Sequence, residues 1–112
     1  NLNGTIPDEI CNLTELNYLS FYVNSLSGSI PDEIGNLSKL TSLSLNHNQL
    51  EGGIPESLWQ LSSLRQLFLN SNNLTGSLAE DLGNLINLEN LVLFANSFTD
   101  SIPASIGNLT KL

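Results

Sequence analysis

The sequence predicts an α/β solenoid wound in coils of 24 residues, and three observations point to it. The 112 residues divide without a gap into four aligned units, 12–35, 36–59, 60–83 and 84–107, with 1–11 as the tail of another unit and 108–112 as the head of a further one. Inside each unit a short stretch alternates apolar and polar side chains with period two, as a strand does. In three of the four, a proline marks the start of a helical turn, with acidic residues next to it at Pro31 and Pro55. A single array accounts for the whole chain, leaving no linker or second domain.

The elements follow in order along each coil. Leu19-Ser20-Phe21, Leu43-Ser44-Leu45, Leu67-Phe68-Leu69 and Leu91-Val92-Leu93 are the strand cores, and their apolar members point into the coil and stack on those of neighbouring coils. Asn24, Asn48, Asn72 and Asn96 then recur where the chain turns away from the strand and leaves backbone groups unpaired. A buried amide offers two donors and an acceptor, so a column of asparagines can satisfy those groups in series. Pro31, Pro55 and Pro103 fix φ at the helical turn, and Asp32-Glu33 and Glu56 are its first residues. Asp8-Glu9 and Glu80-Asp81 repeat the arrangement, so most of the acidity forms a stripe along the turns.

The pattern LxxLxxLxLxxNxLxGxIPxxIG, with apolar swaps allowed, matches at 38 of 40 places over its first ten framework positions in the four units, and among these only Ala79 for Pro and Asp100 for Gly depart from it. It resembles the leucine-rich repeat, in the 24-residue subclass of plant receptor-like kinases, receptor-like proteins and polygalacturonase-inhibiting proteins. The resemblance spans the entire chain and implies a right-handed coil. It also implies a parallel β-sheet on the concave face, a short second strand beside it, and short helical turns on the convex side. The polar caps that close such arrays, and the paired cysteines usual in them, are missing here. The chain therefore reads as an excerpt of a longer array, expected to fray or to self-associate end to end when isolated.

Composition excludes several functions. Eleven acidic against three basic residues give a net charge of -8, opposite to what a phosphate backbone or an anionic membrane attracts. The longest apolar run, Leu91 to Ala95, is far short of the roughly 18 residues of a membrane-spanning helix, so no direct membrane insertion is expected. His47 is the only histidine and Cys11 the only cysteine, which leaves no His and Cys metal cluster, no cofactor, and no nucleophile with a base other than His47. No acid lies near His47 in sequence to orient it, so it reads as an exposed contact residue rather than a catalytic base. The acidic pairs invite a glycosidase or calcium reading. Each pair recurs at the turn of its own repeat, which makes solvated first-turn carboxylates the better account. The chain is expected not to be an enzyme.

Cys11 stands where Gly35, Gly83 and Gly107 stand elsewhere and Trp59 takes the same place, so the thiol reads as a small apolar packing group rather than half of a disulfide. Five sequons, at Asn3, Asn12, Asn36, Asn73 and Asn108, mark possible N-glycosylation sites. The repeat itself writes NLS or NLT at three of them, whereas Asn3 and Asn73 fall outside that template position and favour an extracellular or cell-surface setting.

Function is then expected on a surface. The outward positions of the concave sheet are Tyr18, Ser20 and Tyr22; Ser42, Ser44 and Asn46; Gln66, Phe68 and Asn70; Asn90, Val92 and Phe94. Phe68, Val92 and Phe94 should form one apolar patch on adjacent strands, flanked by Arg65 and Glu89. The expected ligand residues are Tyr18, Tyr22, Asn46, His47, Gln66, Phe68, Asn70, Asn90, Val92 and Phe94. As the resemblance implies, the leading reading is a recognition segment of a receptor-like or inhibitor-like ectodomain that takes a peptide or protein ligand, with a co-receptor as a further partner. Two other readings stay open. One is passive spacer repeats. The other is ice binding through the second sheet, whose small residues would align as Thr5, Ser29, Gly53, Ser77 and Ser101 in one column and Asn3, Ser27, Glu51, Thr75 and Thr99 in the next. Glu51, the gap at Gly53 and the sequons on that face count against a lattice contact.

Overall fold

A computed structural model describes residues 1–112 and shows a solenoid of parallel strands and 3-10 turns. The concave sheet is β2 (Tyr18–Ser20), β4 (Ser42–Ser44), β6 (Gln66–Phe68) and β8 (Asn90–Val92), in that spatial order and all parallel. Lateral partners are one 24-residue coil apart: Leu19 beside Leu43, Leu43 beside Leu67, Leu67 beside Leu91. The second strands are β1 (Asn3–Thr5) with β3 (Ser25–Ser27), and β5 (Glu51–Gly52), β7 (Asn73–Ser77) and β9 (Ser97–Thr99). The helical turns are Asp8–Asn12, Ile34–Asn36, Glu56–Gln60, Glu80–Asn84 and Ala104–Asn108. All five are 3-10, with prolines Pro7, Pro55 and Pro103 at the N-cap in extended conformation, so the ring fixes φ just outside the turn rather than within it. In the coil of Pro31 the 3-10 segment begins only at Ile34, after Asp32 and Glu33.

Between the sheets and the turns runs one core of 22 buried apolar residues. Its columns follow the repeat: Leu37, Leu61 and Leu85; Leu40, Leu64 and Leu88; Leu50 and Leu74 are all fully buried. Trp59, 2% exposed, fills the core from a position that is glycine in two neighbouring coils. At Gly35 a Cβ would collide with the backbone carbonyl of Ser57, so that coil has no room for a side chain there. Cys11 is a free, buried thiol, and burial together with the Glu33 and Asp8 carboxylates pushes its pKa up, leaving it protonated and inert.

The asparagine column stitches each coil to the one before. Asn72 Nδ2 donates to Leu69 O (3.1 Å) in its own coil and to Leu45 O (3.0 Å) in the preceding one, while its Oδ1 accepts from Leu50 N–H (2.9 Å). Asn48 and Asn96 make the same three bonds one coil earlier and one coil later. Asn24 donates to Phe21 O and accepts from Leu2 N–H.

Two features depart from the sequence reading. In the second sheets the lateral partners lie 22 residues apart, not 24: Thr5 beside Ser27, Glu51 beside Asn73, Ser77 beside Thr99. Equivalent residues are thus shifted by two along the strand from coil to coil, so these strands run oblique to the solenoid axis. The straight columns expected there are staircases. The second departure is a row of left-handed residues, Val23, His47, Ser71 and Ala95, with φ between 54° and 58°, immediately before each column asparagine. Gly4, Gly28, Gly52 and Gly76 also have positive φ, and Asp100 takes that conformation where glycine stands in the other coils. Val23 is β-branched and 55% exposed, so it bears the strain without gaining burial. Val23→His, the residue that the next coil uses, should stabilise the chain by about 1 kcal/mol in chemical denaturation. A midpoint at or below the parent's would show that the row carries no strain.

Candidate binding surface

The concave sheet presents its outward side chains in three rows, Tyr18-Ser42-Gln66-Asn90, Ser20-Ser44-Phe68-Val92 and Tyr22-Asn46-Asn70-Phe94. Aromatic groups stand at both edges. Tyr18 and Tyr22 are 61% and 57% exposed beside β2, and Phe94 is 65% exposed beside β8. Phe68 and Val92 are lateral partners and half-buried, which joins them to Phe94 as one apolar strip across β6 and β8. β4, next to the tyrosine edge, is polar and its hydroxyls are paired: Ser42 Oγ donates to Gln66 Oε1 of β6 (3.1 Å) and Ser44 Oγ to Asn46 Oδ1 (2.8 Å). The two aromatic edges are therefore about 14 Å apart, three strand spacings of about 4.8 Å.

Not every expected contact residue is accessible. Asn70 is 5% exposed and Ser42 6%, a correction to the reading of both as open positions. Asn70 lies in its row between Asn46 and the longer Phe94, and Ser42 lies between the longer Tyr18 and Gln66, to which its hydroxyl is bonded. Asn90 is exposed, and Asn46 and Gln66 are half-buried. His47 is exposed, but it sits in the left-handed row at φ 56°, beyond the sheet proper, where its N–H is held by Asn70 O. Ser20 Oγ is buried without a hydrogen-bond partner. Arg65 and Glu89, one residue ahead of β6 and β8, approach to 3.6 Å with both side chains well exposed, a pair worth little to stability and free to turn to a ligand.

Sequence reasoning passed over Ile86, which is 55% exposed at a position occupied by Thr14, Ser38, Ser62 and Thr110 in the other coils. That break in an otherwise hydroxylic row was the available signal. The four surface hollows are all lined by residues between Leu2 and Asn36, and none is lined by the outward rows of the concave sheet. No three His, Cys, Asp or Glu side chains gather where they could hold a metal ion. No helix is long and apolar enough to cross a membrane.

A repeat solenoid with an open, mixed aromatic and amide sheet is a scaffold for surface recognition. Residues 2–112 match the model of the leucine-rich repeat region, and the chain belongs to the leucine-rich repeat family. No curated protein matches it. Among solved structures it is similar to the leucine-rich repeat ectodomain of the plant membrane receptor kinase GASSHO1/SCHENGEN3 from Arabidopsis thaliana, in complex with CASPARIAN STRIP INTEGRITY FACTOR 2. That likeness has 43% identity and a TM-score of 0.97, covering 100% of this chain and 13% of the receptor. It is likewise similar to the Arabidopsis receptor kinase HAESA, solved with the peptide hormone IDA and the co-receptor SERK1, at 38% identity and a TM-score of 0.95, covering 98% of this chain and 18% of that one. A plant ice-binding protein is also similar, with 38% identity and a TM-score of 0.91 over 96% of this chain and 35% of its own. The chain thus spans well under two thirds of each of these proteins.

Proposed function

We propose that the chain is a non-catalytic recognition segment of an extracellular, receptor-like protein, and that it binds an extended peptide or a protein loop on its concave face. The observation that carries this reading is the sheet itself. Exposed aromatic groups at its two edges flank a strip of amides and hydroxyls whose hydrogen bonds already fix their rotamers. A preformed surface of this kind loses little conformational entropy on binding, and exposed aromatics supply the anchors that dominate contact energies. The solved complex of HAESA with a peptide hormone and a co-receptor supports both classes of partner. The open sheet, without a hollow, suits an extended ligand rather than a small molecule.

The test is to pan the chain against a library of peptides and compare retained binders on the parent and on the Phe68→Ala, Phe94→Ala double variant. Affinity should fall by more than about 2 kcal/mol, roughly 30-fold, with the circular dichroism unchanged. Equal affinity for the two proteins would place the contact on another face.

Ice binding is the second reading, favoured by the likeness to a plant ice-binding protein and by the small, exposed residues of the second sheet. The two-residue stagger and the Glu51 carboxylate in β5 work against a flat lattice match. Ice recrystallisation halted by the parent chain and resumed with Thr75→Tyr would favour it over the concave reading.

A further inference from the structure

We infer that Asn73 is an N-glycosylation site, and that the sequons are distributed so that glycans cover the second sheet and the exits of the 3-10 turns while the concave sheet stays bare. The inference rests on the extracellular reading above but concerns different residues and a different readout.

The repeat keeps two populations of asparagine apart. The column asparagines Asn24, Asn48, Asn72 and Asn96 are followed two residues on by Leu26, Leu50, Leu74 and Phe98, which pack in or against the core. A serine or threonine there would bury a hydroxyl, so the packing that needs those amides also prevents them from being sequons. The five sequon asparagines are the reverse case. Asn3, Asn12, Asn36, Asn73 and Asn108 are all exposed, and their hydroxyl partners Thr5, Thr14, Ser38, Thr75 and Thr110 are exposed as well. On the concave sheet, Asn46, Asn70 and Asn90 precede Asn48, Asn72 and Val92 at the second position, and none completes a sequon.

Asn73 carries the inference because the template does not write it. It opens β7, whose pattern is exposed, buried, exposed over Asn73, Leu74 and Thr75. Acceptor amide and hydroxyl therefore project from the same outward face of one strand, two residues apart. Leu50 O holds the backbone N–H of Asn73 (2.8 Å), and none of the side-chain bonds of the asparagine column involves its amide. The transfer that fits is attack of Asn73 Nδ2 on the anomeric carbon of an oligosaccharide carried on a lipid pyrophosphate. The C–N bond forms as the C–O bond to pyrophosphate breaks; the lipid pyrophosphate leaves with the electron pair and the amide gives up one proton. On the folded chain the resulting glycan stands on the three-stranded second sheet beside Glu51, where any broad, flat contact through that sheet would meet it.

The experiment expresses the 112-residue chain behind a secretion signal in plant cells. Glycans are released enzymatically in heavy-oxygen water and each sequon is read by peptide mass spectrometry. Material retained in the cells is mapped in the same way, because glycan transfer precedes export. Asn73 should be occupied in most molecules, and Thr75→Val should abolish that occupancy with the circular dichroism preserved. Val92→Thr completes a sequon at exposed Asn90 and should place a glycan on the concave sheet, with peptides retained by the same variant made without glycan in bacteria lost from the glycosylated form. An unoccupied Asn73 in the parent chain overturns the inference even if the Phe68 and Phe94 variants lose their ligand. Occupied Asn73 with normal binding by those variants leaves the inference standing and overturns the concave reading alone.

Discussion

Asn72→Ala should lower the unfolding free energy by about 1 to 3 kcal/mol, while Asn73→Ala, one residue on, should change it by less than about 0.5 kcal/mol. The two side chains have the same chemistry, so the contrast isolates position. Asn72 is 8% exposed, and its removal leaves the N–H of Leu50 without an acceptor, while the carbonyls of Leu45 and Leu69 lose one donor each and keep Asn48 and Asn96. A buried unpaired group costs about 1 to 3 kcal/mol, and this N–H cannot turn to water without opening the seam between two coils. Because stability in a solenoid is a sum of neighbour interfaces, the damage should be local: the array should separate at coil 60–83 before the rest unfolds, with a broadened urea transition and a smaller apparent m-value. Two equal and small effects would mean that the column does not hold the coils together.

The concave register and the core columns were legible in the sequence because both depend on one coil laid on the next at a constant 24-residue spacing. Features that depend on how neighbouring side chains differ were not. Asn70 and Ser42 occupy outward positions by period alone, and only the longer residues beside them decide that they are covered. The 22-residue pairing of the second sheets is a stagger of backbone against backbone that the 24-residue pattern does not write. The left-handed row was hidden for a different reason: Val23, His47, Ser71 and Ala95 share no chemistry, so the hydrogen bonds on either side impose the conformation. The apolar strip of the candidate surface was visible because Phe68, Val92 and Phe94 interrupt a row that is otherwise hydroxyl and amide.

Covering the outer edge of coil 84–107 should raise the melting temperature of the 112-residue polypeptide by at least about 10 °C and suppress its self-association. The edge is apolar because the repeat places core side chains there. Ile102 is 67% exposed where Ile30 is 1%, and Leu112 is 51% exposed. Leu91 and Leu93 are only half-buried, whereas Leu43, Leu67 and Leu69 in inner coils are closed completely. Fully burying one such side chain is worth about 1.5 to 3 kcal/mol, an upper figure because the unfolded chain already hides some of that surface. Two or three of them at this edge still amount to a sizeable share of a domain's net stability of about 5 to 15 kcal/mol. A capping coil fused in register, apolar toward Leu91 and Ile102 and polar outward, supplies the cover. Sedimentation of the two proteins over a range of concentrations, together with thermal melts, makes the comparison. The capped protein should sediment as a monomer throughout and the uncapped one should grow in mass with concentration. An uncapped chain that stays monomeric and melts with the capped one would show that these side chains are satisfied at the edge as they stand.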